Sequence, residues 1–314
     1  MIGFLHYDQC QYDQAIHWFQ RQISLATEIR DTFFIEEAMG GLAMVYFELD
    51  DMDLAYDRLV EKLEIAKSVG ARMGFAMGLG MLGKYYHLLG SHLQAEQCIA
   101  FCLEEAVQIQ DWHIASVVLG IEGCNLMEQH RYEEACQWIE RSAQLTKKLR
   151  IPFFECEALY FTSLLRERQN QYESAMSAAA EALKLAIRLK RRDLQVKLHV
   201  QLLQLKSCLG RISTDDAVDE LQHMLEQYAG EQDQAIIRFV MWLLKPDSTE
   251  LRTAALTLNE ALYRKSGKQE YSGRLRKFGS FDQTIAARPL PKLAAEVVKG
   301  KRIAPSLLGK SIDF

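Results

Sequence analysis

Several residue types in this 314-residue chain could do chemistry, but their spacing fits no reaction. Eight histidines stand at 6, 17, 87, 92, 113, 130, 199 and 223, and none form the HxxxH or HExxH pattern that puts two imidazoles around a metal. Seven cysteines, at 10, 98, 102, 124, 136, 156 and 208, include no CxxC pair and are odd in number. Cys98 and Cys102 lie one helical turn apart, half of a metal site, but no further His or Cys pair completes it. They read as buried, reduced thiols. Gly78-Leu-Gly80-Met-Leu-Gly83 spells a dinucleotide fingerprint, but no strand precedes it, and such a site needs one. No GxxxxGK[ST] loop and no GxSxG elbow occur. Pairs such as Glu36-Glu37, Glu104-Glu105 and Glu133-Glu134 are what solvated helix faces look like. The chain therefore reads as a non-enzyme, with no metal or cofactor expected.

The elements that carry these residues are set by an internal repeat. Alanines recur at 15, 55, 95, 135 and 175, a step of 40 each time. Twelve residues before each stands a small residue: Gly3, Ala43, Gly83, Gly123 and Ser163. Four residues after each comes Phe19, Leu59, Ile99, Ile139 or Ala179. His6, Tyr46 and Tyr86 follow the small residue by three in the first three repeats; Leu126 and Arg166 depart from this. Two helices of a hairpin approach closely only where side chains are small, so the small residue of a first helix (A) should face the alanine of a second (B). Gly40, Gly80 and Gly120 keep the same step. Each costs about 1 kcal/mol against alanine inside a helix. They mark either close packing between repeats or a path of close backbone approach for a ligand.

The order small, aromatic, alanine, apolar resembles the tetratricopeptide repeat, in a 40-residue variant of the kind found in bacterial signalling and regulatory proteins. The resemblance covers residues 1–210. It implies an all-α, right-handed superhelical solenoid of antiparallel helix pairs, with five to six repeats plus a capping helix. It also implies that A helices line a concave face where peptides or partner helices bind. Carried over by register, that face comprises Phe4, Tyr7, Met44, Phe47, Met77, Lys84, His87, Met127, Tyr160, Leu164 and Arg168. Methionines and aromatics make such a groove adaptable rather than strongly charged. The family's lysine–asparagine clamp for C-terminal carboxylates is not matched, because the asparagine position reads Met44, Lys84, Cys124 and Leu164.

Beyond 210 the register slips, and residues 211–265 read as a degenerate repeat and capping helices, as terminal repeats usually are. At the other end the chain begins midway through its first A helix, which predicts that it is trimmed from a longer protein or that another element covers the exposed half. Charge is segregated. Residues 1–262 hold 25 Lys and Arg against 38 Asp and Glu, whereas residues 263–314 hold 12 against 4. The 266–314 tail reads as basic and largely irregular, with apolar returns at Leu293, Val297, Val298, Ile303, Leu307 and Leu308. Three readings stay open for it: a solvated tail, a segment docking on the acidic array or on another protein, and a nucleic-acid binder. Its docking residues would be Arg274, Arg276, Lys277, Lys299, Lys301 and Arg302; base stacking would fall to Tyr271, Phe278, Phe281 and Phe314.

These features predict a cytoplasmic protein-interaction scaffold or adaptor whose partner is another protein or a peptide, modulated by its tail. The first twenty residues carry no secretory signal, and no run approaches the roughly 20 apolar residues a membrane span needs. A peptide-responsive switch in a transcription or signalling protein is the alternative, and nucleic-acid binding through the tail a lesser one. No oligomeric state is specified.

Overall fold

Helices of one length appear wherever the 40-residue ladder runs. The computed structural model describes residues 2–279, 281 and 283–303. The A helices are α1 (Ile2–Asp8), α3 (Thr32–Glu48), α5 (Arg72–Leu88), α7 (Trp112–Glu128), α9 (Pro152–Arg168) and α11 (Arg192–Cys208). The B helices are α2 (Tyr12–Glu28), α4 (Met52–Ser68), α6 (His92–Gln108), α8 (Tyr132–Lys148) and α10 (Tyr172–Leu189). After them come α12 (Thr214–Gln227), α13 (Glu231–Leu244), α14 (Thr249–Ser266), α15 (Gln269–Lys277) and α16 (Lys292–Val298). No strand occurs among the described residues. The fold is an all-α solenoid of antiparallel pairs. It divides into two compact units, one formed by residues up to Ala158 together with the segment from Ala287 on, the other by Leu159–Ala286.

A second period, of 20, is hidden in the first. A left-handed residue ends each helix from α1 to α11, at Cys10, Arg30, Asp50, Gly70, Gly90, Gln110, His130, Arg150, Asn170, Lys190 and Gly210. The turn after α2 shows the bonding: Arg30 N–H donates to Thr27 O at 3.1 Å and Asp31 N–H to Ala26 O at 2.8 Å. This double bond satisfies the last carbonyls of a helix and reverses the chain in three residues. Glycine serves that position best, yet only three of these eleven turns use it. At the other eight the same backbone bond closes the turn around a non-glycine residue, as in Arg131 N–H to Leu126 O at 3.0 Å and Gln171 N–H to Arg166 O at 2.8 Å.

Packing explains the ladder. Ala15, Ala55, Ala95, Ala135 and Ala175 are fully buried, as are Phe19, Leu59, Ile99, Ile139 and Ala179. The small residue sits under the second set. A β-carbon on Gly83 would lie 2.7 Å from Ile99 Cγ1, and one on Gly123 would lie 2.5 Å from Ile139 Cγ1. Gly40 and Gly80 face neighbouring repeats. A β-carbon on Gly40 would meet Met81 and Lys62, and one on Gly80 would meet Cys102 Sγ at 2.9 Å and Val118. Close packing therefore accounts for Gly80, whereas a β-carbon on Gly40 would make only ordinary contacts, 3.4 Å from Met81 Sδ and 3.6 Å from Lys62. Cys98 and Cys102 are fully buried in α6, and burial pushes the Cys102 thiol up to about 12. Among the described residues no cluster of His, Cys, Asp or Glu could hold a metal ion.

In the second unit, Val196, Val200, Leu203, Leu221, Ile237 and Val240 form one core; Ala235, Leu262, Tyr263, Tyr271 and Leu275 form another. Among the described residues from 266 on, α15 packs against α14 and α16 follows, and the chain between and after these two helices has no regular structure. The aromatics of this region are spent inside the fold. Tyr271 is buried, Phe278 stacks on Trp242 with ring centroids 4.1 Å apart, and Phe281 meets the edge of Tyr263 at 5.2 Å. Phe314, Leu307 and Leu308 lie outside the described residues.

One ion pair breaks the apolar register. Lys62 Nζ donates to Glu36 Oε1 at 2.5 Å, with both side chains almost wholly buried. Gly74 makes room for it, since a β-carbon there would fall 2.1 Å from Glu36 Oε1. Forty residues on, the same two positions hold Ala76 and Cys102; forty further, Ser142 Oγ donates to Ser116 O at 2.7 Å. The fold thus does not require charge at this site. Removing one partner strands a buried charge, whereas replacing both with apolar side chains of similar volume is often neutral. Lys62→Met should cost about 3–5 kcal/mol in a denaturant titration, and adding Glu36→Met should recover most of it. Equal losses in the single and double variants would contradict this.

Candidate ligand-binding face

The A-face residues divide between the units. Phe4, Tyr7, Met44, Phe47, Met77, Lys84, His87 and Met127 belong to the first, and Tyr160, Leu164 and Arg168 to the second. Not all are open surface. Phe47 and Met127 are 1% and 3% exposed, and Tyr7 is buried with its hydroxyl donating to Glu48 at 3.4 Å. Their size and position make them packing residues: Lys84 lies over the Phe47 ring at 5.6 Å, and Phe4 meets Phe19 edge-on at 4.9 Å. What remains accessible in the first unit is Met44, Met77, Lys84 and His87; Met77 is 42% exposed. Phe153, from the start of α9, packs against the cluster of Tyr7, Phe19 and Leu42, to which Met44 also belongs.

Beside Lys84 and His87 lies a polar network that the motif search passed over. His92 Nδ1 and Asn125 Oδ1 are 2.8 Å apart, and Asn125 Nδ2 donates to Glu122 Oε2 at 3.2 Å and to His92 O at 3.3 Å. Glu122 and Asn125 are buried. Burial pushes the Glu122 carboxyl up to about 8, opposed by the Asn125 bond and Arg131 and aided by Glu96 and Glu134. Burial likewise pushes the His87 imidazole down to about 4; His92 and Lys84 add to this, and a hydrogen bond with Asn125 opposes it. A signal was present in the register. The positions of Glu122 and Asn125 read Leu82 and Tyr85 one repeat earlier, and Leu42 and Val45 before that. A polar pair on an otherwise apolar face marks a site with a partner.

In the second unit, Leu164 is half-buried and Arg168 exposed. Burial pushes the half-buried Tyr160 hydroxyl up to about 12, with Lys197 and Arg274 opposing and Glu270 and Glu167 adding. Arg274, Arg276 and Lys277 do not dock as a tail: they lie within α15, where Arg274 pairs with Glu270 at 3.0 Å and Arg276 donates to Ser272 at 3.1 Å. Lys277 and Lys299 are exposed. Lys301 and Arg302, by contrast, pair with Glu104 and Glu96 of α6.

The network makes stability depend on pH with a definite sign. Between the ordinary carboxyl value of 4.5 and about 8, the folded chain holds a proton on Glu122 that the unfolded chain releases, so stability falls as pH rises. His87 acts oppositely, but only between about 4 and its ordinary 6.5. Above that only Glu122 of the two still acts. The expected result is a loss of up to about 1.4 kcal/mol per pH unit between roughly pH 6.5 and 8, absent in Glu122→Gln. The same slope in both proteins would contradict the assignment.

No protein-family model and no curated protein sequence matches the chain. Solved structures do. A Rap protein complexed with Competence and Sporulation Factor is similar at TM-score 0.67 and 13% identity, over 85% of this chain and 79% of that one. The apo form of RapI gives 0.56 at 13% identity, over 77% and 99%. A signal-transduction ATPase (STAND) protein of Pyrococcus horikoshii with a tetratricopeptide repeat sensor gives 0.50 at 16% identity, over 88% of this chain and 43% of that one. At such identities the likeness is one of fold. Taken with the 40-residue ladder, it makes this chain a protein of the tetratricopeptide-like repeat fold.

Proposed function

We propose that the chain is a protein-interaction module that holds a peptide or partner helix on the A face of its first unit, and that it works by binding rather than by catalysis. The observation that carries this reading is the surface left open there. Met44 of α3 and Lys84 of α5 share one register, and Met77 and His87 lie on the same face of α5 as Lys84, at i−7 and i+3, exposed or half-buried beside a buried polar network. Thioether and imidazole side chains adapt to varied apolar ligands, while Lys84 supplies a fixed charge. Array proteins present such surfaces to extended or helical segments. Among the described residues no helix is long and apolar enough to cross a membrane, which suits action as an adaptor in the cytoplasm.

A second reading, a ligand-responsive switch, is favoured by two neighbours of the same fold. One is a complex with Competence and Sporulation Factor, and another is described as a sensor. Nucleic-acid binding has less support, because Lys301 and Arg302 are paired with carboxylates and Tyr271, Phe278 and Phe281 are taken up in packing.

A random peptide library displayed on phage and selected against the full chain tests the proposal. Selected peptides should lose at least about tenfold in affinity, 1.4 kcal/mol, on Met77→Glu or Lys84→Glu, with melting unchanged. Undiminished binding to both variants would place the site elsewhere. Small-angle scattering on the same complexes separates the two readings, since a switch changes the scattering curve and a rigid scaffold does not.

A further inference from the structure

The segment 287–303 returns to the first unit and lies on the B helices α4 and α6, not on the A-face residues. It is held at both ends. At its start, the Arg288 guanidinium pairs with Asp57 at 2.6 Å and lies 4.0 Å over the Tyr56 ring. Arg288 N–H donates to Tyr85 Oη at 3.4 Å, and Tyr56 Oη donates to Pro289 O at 2.6 Å. Next comes the run Pro289-Leu-Pro291, then α16, which buries Ala294 and Val298 completely. At its end Lys301 pairs with Glu104 and lies 5.7 Å over the Phe101 ring, and Arg302 pairs with Glu96 at 2.6 Å. Lys67 pairs with Glu296 at 3.1 Å between these anchors.

The individual forces on this contact are modest. The ion pairs are all substantially exposed, worth about 0–1 kcal/mol each and weakened by salt. The fully buried apolar side chains of α16 are one alanine and one valine, and a buried valine contributes about 1.5–3 kcal/mol. Ordering the segment opposes this at about 1–2 kcal/mol per residue. Tethering, not intrinsic strength, keeps the crevice filled, since a linked segment sits at an effective concentration of order millimolar.

We propose that the α4–α6 crevice is a second peptide-docking site, with residues 287–303 as its resident ligand. It accepts from another protein a segment of the same chemistry: an arginine before a Pro-x-Pro run, then a short helix with apolar residues four apart, then a Lys/Arg pair. The acidic residues Asp57, Glu96 and Glu104 select its charge, the Tyr56 ring recognises its arginine, Tyr85 accepts from its backbone N–H, and Ala294 and Val298 mark where its helix is buried.

The test uses the full chain carrying Arg288→Glu, Lys301→Glu and Arg302→Glu, which frees the crevice, and a fluorescent peptide spanning 286–303. The peptide should bind this variant with a Kd of about 0.1 mM, at least about tenfold more tightly than wild type, whose own segment competes at an effective concentration of order millimolar. The affinity should fall as salt rises. No binding to the variant, or equal binding to both proteins, overturns the proposal. Should the variant fail to fold, hydrogen exchange on wild type decides: amides of Val297–Lys299 should exchange at least about tenfold faster in molar salt than in dilute buffer, with α5 unchanged. Unaltered protection would make the segment a permanent part of the core and overturn the proposal too.

Discussion

Everything in the array depends on one contact, the seating of a large B-helix side chain on a small A-helix residue. Phe19 over Gly3, Ile99 over Gly83 and Ile139 over Gly123 leave no space for even a β-carbon. This closeness sets the distance between the two helices of a hairpin, and hence where the next hairpin stacks. Because each pair also packs on the pairs before and after it, stability is shared along the chain rather than gathered in one core. The A face can then carry methionines, a lysine and a histidine without weakening the scaffold.

Two groups of buried polar side chains in this scaffold are held by partners. Glu36 and Lys62 occupy a position that other repeats fill with Ala76 and Cys102 or with two serines. Glu122, Asn125 and His92 replace apolar register mates beside the proposed binding face. Both are substitutions within a fixed frame, and the second lies where a ligand's charge would be felt. Charge segregation has a similar logic. The basic end of the chain meets acidic B helices through Arg288, Lys301 and Arg302, while Arg276 bonds within α15 and Arg274 bonds both Glu270 of α15 and Asn259 of α14.

Much of the fold was legible because its period is written in small residues and alanines, which helix packing cannot replace. The 20-residue turn period was not legible, since Arg30, Gln110, His130 and Arg150 take the left-handed place where glycine would have marked it. Nor was the burial of Phe47 and Met127, whose side chains fit a greasy groove on paper but fill the space between helices. The tail misled for a related reason. Its glycines and prolines suggested irregular chain, yet Tyr271 and Leu275 pin α15 to α14, and Ala294 and Val298 pin α16 to α4 and α6. The polar network could have been found by asking which register positions lose their apolar character.

Residue-resolved hydrogen exchange on Gly123→Leu tests the central claim most directly. The added side chain must displace Ile139, whose Cγ1 lies 2.5 Å from the position of a β-carbon. Overpacking of this kind costs about 1–3 kcal/mol or more. If small-on-large seating holds each hairpin and stability is shared between neighbours, protection falls first in α7 and α8 and persists in α2–α4. Uniform loss at one rate through all these helices would contradict the account.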